Sequence, residues 1–248
     1  MAVLVGALTA IAGCSSGSGD TPQAVTSTQV STTVVTATRT TTSPAAQSTS
    51  SSQTSDVPTS TVTLVAVDSA GRPINGFEVN SPNPAGEIDC AHASVSRSST
   101  TGGIYECGAS AQSADVCWAA KSNTQLLCGD SPWSRKLDAW TITSGTLPTS
   151  GAPSAQPEPW GLELADGRQC RIRVGGAWGG RSDGRVGAYS CTGSDRDVVL
   201  MRANATSAVD RSSTTWLVEV GPLGAGSPSF PAPDKVAVRT AYFAAAAG

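Results

Sequence analysis

The stretch WGLELADGRQCRIRV, residues 160–174, sets the fold class of this chain. Apolar and polar residues alternate on both sides of Asp166-Gly167, from Trp160 to Leu164 and again from Gln169 to Val174. Alternation with a period of two is typical of a half-buried strand, and Asp-Gly between two such runs is a strong hairpin signal. The stretch therefore predicts an antiparallel β-hairpin.

Six cysteines after residue 60 extend this prediction to the rest of the domain. An even set of six in an exported protein is typical of a disulfide framework. Strands that are adjacent in sequence usually pair, so the closed loops should be short. We therefore predict the bridges Cys90–Cys107, Cys117–Cys128 and Cys170–Cys191.

The chain beyond Thr61 is expected to be mainly β, because no run in it keeps a period of 3.6 residues over three turns. We predict two small antiparallel β lobes stapled by disulfides, over 61–145 and 160–248, joined by a Pro/Ser linker over 146–159. A likeness between 103–107 and 187–191 suggests one bridged hairpin in each lobe, with chance similarity as the alternative. Residues 236–247 are expected to form a last strand that runs into a short helix.

The segment before the lobes has a composition typical of disorder. From Ser15 to Ser60, 25 of 46 residues are Ser or Thr, and only Asp20, Arg39 and Asp56 carry charge. Such a segment buries too little apolar surface to offset its conformational entropy. We predict a lipidated, Ser/Thr-rich disordered tether over 14–60, with O-linked sugars on its threonines as a further hypothesis.

The apolar run at the N-terminus predicts a signal peptide over 1–13, since it is too short to span a bilayer. It ends in Ile11-Ala12-Gly13-Cys14, which resembles a bacterial lipobox and implies a lipid anchor on Cys14. No Lys or Arg precedes the run, so we expect the start codon to lie upstream. The alternative is a buried apolar N-terminus with a chance cysteine.

Several segments of the C-terminal half carry a family resemblance. Pro159-Trp160-Gly161-Leu162, the glycine loop 175–180, the segment 209–212 before Trp216 and the closing 240–243 are similar to uncharacterised lipoproteins of mycobacteria and other actinobacteria. The resemblance covers most of Asp89 to Phe243. It implies a lipid-anchored protein on the outer face of the cytoplasmic membrane, and it implies no activity, ligand or site.

The residues show no catalytic constellation, and we predict that the protein is not an enzyme. A Ser-His-Asp triad would have to use His92, the only histidine, and no Gly-x-Ser-x-Gly elbow presents a nucleophile. Without a CxxC pair or a second histidine, neither a metal site nor a cofactor is expected. A formal net charge of −3 argues against nucleic acid as a partner.

The best candidate binding site is an arginine-rich face in the second lobe. Strand alternation places Arg171 and Arg173 on one face, with Arg181 and Arg185 nearby and Trp178 in the glycine loop. Guanidinium groups of this kind suit an anionic envelope component or an acidic protein partner. The alternative is a solvated strand face in which some arginines pair with the more acidic first lobe.

Together these features predict a membrane-anchored extracytoplasmic lipoprotein that acts as a binding or accessory module of the cell envelope, with an unknown ligand. Two other functions stay open. One is an envelope hydrolase that uses carboxylates, and the other is a structural surface glycoprotein.

Overall fold

The computed structural model describes residues 57–108, 114–149, 151–173, 180–193, 197–223 and 230–248. Every regular element in these ranges is a β-strand, which confirms the mainly β fold class. No helix in the described ranges is long and apolar enough to cross a membrane. The predicted signal peptide, Cys14, the tether up to residue 56 and Trp178 lie outside the described residues.

The described strands form two sheets. In chain order they are β1 (Ser60–Leu64), β2 (Glu78–Val79), β3 (Gly86–Cys90), β4 (Ser94–Val95), β5 (Ile104–Cys107), β6 (Ala114–Ala119), β7 (Gln125–Gly129), β8 (Lys136–Gly145), β9 (Gly161–Leu164), β10 (Gln169–Ile172), β11 (Arg185–Cys191), β12 (Asp197–Arg202), β13 (Val209–Asp210), β14 (Leu217–Pro222) and β15 (Asp234–Ala244).

The larger sheet closes on itself. Strands β15, β9, β10, β11, β12 and β14 follow one another, and β14 pairs back onto β15, which gives a six-stranded barrel. The predicted hairpin is the β9–β10 pair, with Glu163 opposite Gln169 and Gly167 in the turn at φ +90°. A closed sheet leaves none of these six strands with an open edge.

The smaller sheet is built on the ten-residue strand β8. Its order is β8, β7, β6, β5 and β4, with antiparallel pairs throughout. Strands β2 and β3 both pair with β8 in parallel, at Lys136–Leu137 and at 140–145. The long strand β8 therefore pairs with two short strands, β2 and β3, that lie apart in the sequence.

Strand β1 corrects the predicted boundary of the first lobe. It lies within 61–145 for most of its length, yet it pairs in parallel with β15 of the barrel sheet. Strand β14 pairs only with the first four residues of β15, and β1 pairs with Thr240–Ala244. The same pairing explains why the expected C-terminal helix is wrong, because Tyr242 and Phe243 are held in the sheet.

The two predicted lobes share one apolar core. It contains Trp118 from the smaller sheet and Trp160, Leu162 and Ile172 from the barrel side, all at most 4% exposed. The rings of Trp118 and Trp160 meet edge to face, with centroids 6.2 Å apart. Burying this surface is the main favourable contribution to folding, so the two sheets should stabilise each other.

The three disulfides have the predicted connectivity. Cys117–Cys128 and Cys170–Cys191 each join directly opposed residues of neighbouring strands. Cys90–Cys107 joins β3 to β5, although β3 pairs with β8. The bridged hairpin expected from the likeness of 103–107 and 187–191 is therefore correct for Cys170–Cys191 and wrong for Cys90–Cys107, which links strands that are not neighbours.

Candidate ligand-binding groove

Arg171 is a structural residue that connects the two sheets. Its Nη2 donates to Asp115 Oδ1 at 2.9 Å, and the Asp115 side chain is completely buried. Its Nε donates to the carbonyl of Asp130 and its Nη1 to the carbonyl of Ile172. This is the alternative in which an arginine of the second lobe pairs with the acidic first lobe.

Arg181 and Arg185 are also occupied by the protein itself. The Arg181 side chain is fully buried, is bound to Asp183 at 2.9 Å, and lies over the ring of Phe230. Arg185 is paired with Asp183 and with Glu219, whose carboxylate is 2.7 Å from Nε.

The expected exposed face of Arg171, Arg173, Arg181 and Arg185 therefore does not exist, because three of these side chains satisfy the chain's own acids and carbonyls. The position of Trp178 relative to them falls outside the described residues.

Charged side chains converge instead on a groove of about 320 Å³ beside the barrel strands β10 and β11. We name it the Arg97 groove. Arg97 comes from the segment after β4, Glu158 from the segment before β9, Arg173 from the end of β10 and Ser207 from the segment before β13. Residues that are distant in sequence are brought together here by the packing of the two sheets.

The side chain of Arg97 is exposed at this groove, and hydrogen bonds hold both its backbone carbonyl and its guanidinium. Its carbonyl accepts the backbone N–H of Glu158 at 2.9 Å, and its Nη2 donates to the carbonyl of Arg173 at 3.1 Å. Among the described residues this is the one hydrogen bond of its guanidinium. A guanidinium has five N–H donors, so four of them are available to a ligand or to water.

Arg173 contributes a second cation to the groove. Burial lowers its pKa to about 10, so the guanidinium is charged at neutral pH. Its head lies against Gly187, where an added Cβ would collide with Arg173 Nη1 and lie 2.9 Å from Leu223 Cδ2. The absence of a side chain at Gly187 therefore makes the space that the guanidinium occupies.

Glu158 supplies a carboxyl group to the same groove. Burial raises its pKa, while a hydrogen bond from Ser207 Oγ at 3.1 Å and the charges of Arg211 and Arg97 act in the opposite direction. Arg211 lies 3.9 Å from Glu158 Oε1. The hydroxyl of the buried Tyr189 donates to the carbonyl of Pro159 beside it.

Two further carboxyl groups are coupled to Arg97. Burial raises the pKa of Glu106 and of Asp115, and the charge of Arg97 opposes the shift at both residues. The region thus holds four guanidinium groups, from Arg97, Arg171, Arg173 and Arg211, and three carboxyl groups, from Glu106, Asp115 and Glu158.

The following features of the described chain do not form a comparable site. A groove of about 690 Å³ is lined mainly by small and proline side chains around β7 and β8, with Arg72 and Lys121 at its edge. No cluster of potential metal ligands occurs among the described residues. His92 is exposed, and the nearby Asp89 bonds to Ser144.

The sequence patterns did not predict this groove. Arg97 lies outside the arginine-rich face predicted from the sequence, and Glu158 lies in the predicted linker. Comparisons of the chain with protein-family models, with curated proteins and with solved structures gave no match. The groove is therefore interpreted from its own geometry.

Proposed function

We propose that this chain is a lipid-anchored extracytoplasmic lipoprotein that acts as a binding or accessory module of the cell envelope. The observation that carries the proposal is the use of its cysteines. Six of the seven pair in three disulfides, and Cys14 is the one left over. Disulfides persist in oxidising compartments outside the cytoplasm, and the remaining cysteine is the one that the lipobox-like sequence would lipidate.

The segment after Cys14 supports the same proposal. A flexible coil of the 42 residues from 15 to 56 would hold the domain roughly 32–39 Å from the membrane on average. The first strand begins at Ser60. A diacylglycerol thioether on Cys14, with or without a further acyl chain, would give stable anchoring, whereas a single acyl chain is marginal.

The Arg97 groove supports a binding role for the anchored domain. It is open to solvent, and two cations, a carboxyl group and a hydroxyl group line it. Small-molecule sites are typically concave and mostly apolar, with a few placed polar groups. We therefore favour an anionic envelope component as the ligand over a purely structural role.

The test of anchoring is Cys14→Ala in intact cells, with membrane, wall and medium fractions probed separately. We expect the wild-type protein in the membrane fraction and the variant in the medium or as an unprocessed precursor. Ser15→Ala, one residue away, serves as the control and should stay with the membrane. Membrane association that survives Cys14→Ala would contradict the proposal.

A hydrolase that uses carboxylates is the second candidate, favoured by the raised pKa values of Glu106 and Glu158. Of the three carboxyl groups in this region, Asp115 is fully buried and bound to Arg171, so Glu106 and Glu158 are the two that could take part in such chemistry. Incubation of the purified protein with isolated envelope polymers tests this candidate. Release of soluble fragments that stops in Glu158→Gln would favour the hydrolase over the binding module.

A further inference from the structure

We infer that a second groove, of about 440 Å³, binds a neutral saccharide. We name it the Trp133 groove. Asp130 and Trp133 line it from the turn that joins β7 to β8, and Gln169, Arg171 and Ser190 line it from the barrel strands β10 and β11. The inference goes beyond the function proposed above, because it adds a site and a ligand class that the Arg97 groove does not supply.

Arg171 holds the two sides of the Trp133 groove together. Its Nε donates to the backbone carbonyl of Asp130, and its Nη2 donates to the buried Asp115 at 2.9 Å. On the barrel side, strand pairing places Arg171 directly opposite Ser190. The turn and the strand surface are therefore fixed relative to each other before a ligand binds, which lowers the entropic cost of binding.

Trp133 gives the groove a partly exposed aromatic surface. Its turn is closed by a hydrogen bond from the Ser134 N–H to Ser131 Oγ at 3.2 Å. Its ring meets that of Tyr242 edge to face, with centroids 5.8 Å apart, and an added Cβ at Gly161 would lie 2.9 Å from it. The face of an indole ring carries negative charge density, which attracts the weakly positive C–H groups on one side of a pyranose ring.

The polar groups of the groove suit the hydroxyl groups of a sugar. Asp130 and Ser190 are exposed, and within the described residues their side chains form no hydrogen bond or ion pair. Gln169 Nε2 donates to Glu163 Oε1 at 3.4 Å, which leaves the amide oxygen as an acceptor. A carboxylate and an amide oxygen accept hydrogen bonds from hydroxyl groups, and a serine hydroxyl both donates and accepts.

The charges of the groove favour a neutral ligand. Its cation, Arg171, is already paired with the buried Asp115. Among the described residues that line the groove, Asp130 is then the one unpaired charge. A phosphate or carboxylate would be repelled by Asp130. A quaternary cation would be attracted by Asp130 and by the ring of Trp133, but it has no acceptor for the Ser190 hydroxyl.

Calorimetric titration of the full-length Cys14→Ala protein, with its disulfides intact, tests the inference. The probes are the trisaccharides cellotriose, maltotriose and triacetylchitotriose. Sorbitol, which has hydroxyl groups without a ring, and tetramethylammonium, which has a charge without hydroxyl groups, are the comparators. We expect at least one trisaccharide to bind about tenfold more tightly than either comparator. No binding of any trisaccharide at millimolar concentration, or equal binding of a comparator, would overturn the inference.

Substitutions then locate the binding. Asp130→Ala should weaken trisaccharide binding about tenfold, since it removes the carboxylate and keeps the backbone carbonyl that Arg171 binds. Trp133→Ala should abolish binding, and its melting temperature is measured as well because Trp133 also packs against Tyr242. Asp234→Ala is the matched control, since Asp234 is also exposed and its carboxylate forms no hydrogen bond or ion pair within the described residues. Binding that Asp130→Ala leaves unchanged would refute the site even if Trp133→Ala disturbs the fold.

Sedimentation with insoluble cellulose and chitin distinguishes the possible sources of the saccharide. Sedimentation that depends on Asp130 identifies a polymer, and trisaccharide binding without sedimentation identifies a soluble oligosaccharide; both support the inference. If the trisaccharides fail to bind while Cys14→Ala still releases the protein from cells, the saccharide assignment alone is wrong. If the trisaccharides bind and Cys14→Ala changes nothing in cells, the anchoring proposal is wrong.

Discussion

Replacing Arg171 with Met should destabilise the protein strongly, because Arg171 is the ion-pair partner of a fully buried carboxylate. The Asp115 side chain is 0% exposed and that of Arg171 is 26% exposed. Met keeps most of the length of the side chain and removes the charge. Breaking a buried pair by removing one partner typically costs about 3–5 kcal/mol, since the other charge is left uncompensated.

The chemistry of Asp115 sets an upper limit on that cost. A buried carboxyl group without an ion-pair partner can become neutral by taking up a proton, and its ordinary pKa in the unfolded chain is near 3.9. At pH 7 this costs about 4 kcal/mol, from about 1.4 kcal/mol for each pH unit above that pKa. We therefore expect Arg171→Met to lower the free energy of unfolding by about 3–4 kcal/mol at pH 7.

The same argument gives the pH dependence. Burial already raises the pKa of Asp115 in the folded protein, and removing Arg171 should raise it further. A carboxyl group whose folded pKa is raised binds protons more tightly in the folded state, so its destabilising effect grows as pH rises from the unfolded pKa to the folded pKa. The deficit of Arg171→Met should therefore shrink to about 1 kcal/mol near pH 4.5.

Urea unfolding at pH 7 and pH 4.5, with the disulfides intact, measures both quantities. Arg72→Met is the matched control, because its partner Asp68 lies in an exposed turn and Arg72 itself is 76% exposed. That substitution should lower the free energy of unfolding far less than Arg171→Met does, because exposed ion pairs contribute little to stability. The reasoning fails if Arg171→Met costs no more than Arg72→Met at pH 7, or if its deficit is the same at both pH values.

Two further predictions concern the disulfide of the barrel and the packing of the shared core. Replacing Cys170 and Cys191 together with Ala opens a loop with a sequence separation of 21 residues and should cost about 3 kcal/mol in urea unfolding; an unchanged midpoint would contradict it. Gly129→Ala should cost about 1–3 kcal/mol by overpacking, since a Cβ there would lie 2.6 Å from the buried Trp160 ring. Gly180→Ala, whose Cβ would meet only ordinary contacts at 3.6 Å and beyond, is its control, and equal melting temperatures for the two variants would refute the overpacking argument.

The local sequence determined those features that depend on neighbouring residues. The β9–β10 hairpin follows from alternation around Asp166-Gly167. The three disulfides close separations of only 11 to 21 residues, so pairing in chain order predicts them correctly. Period-two patterns, turn residues and short loops act over a few residues, and they can be recognised without knowing the fold.

Only the tertiary structure decided which distant groups meet. Strand β1 pairs with β15 across about 180 residues, Arg171 reaches Asp115 across 56 and Arg97 reaches Arg173 across 76. Alternation predicts a shared strand face for Arg171 and Arg173, yet it could not show that the buried carboxylate of Asp115 would bind the first. A side chain's partner depends on how the sheets pack, and that packing is set by the shared core around Trp118 and Trp160.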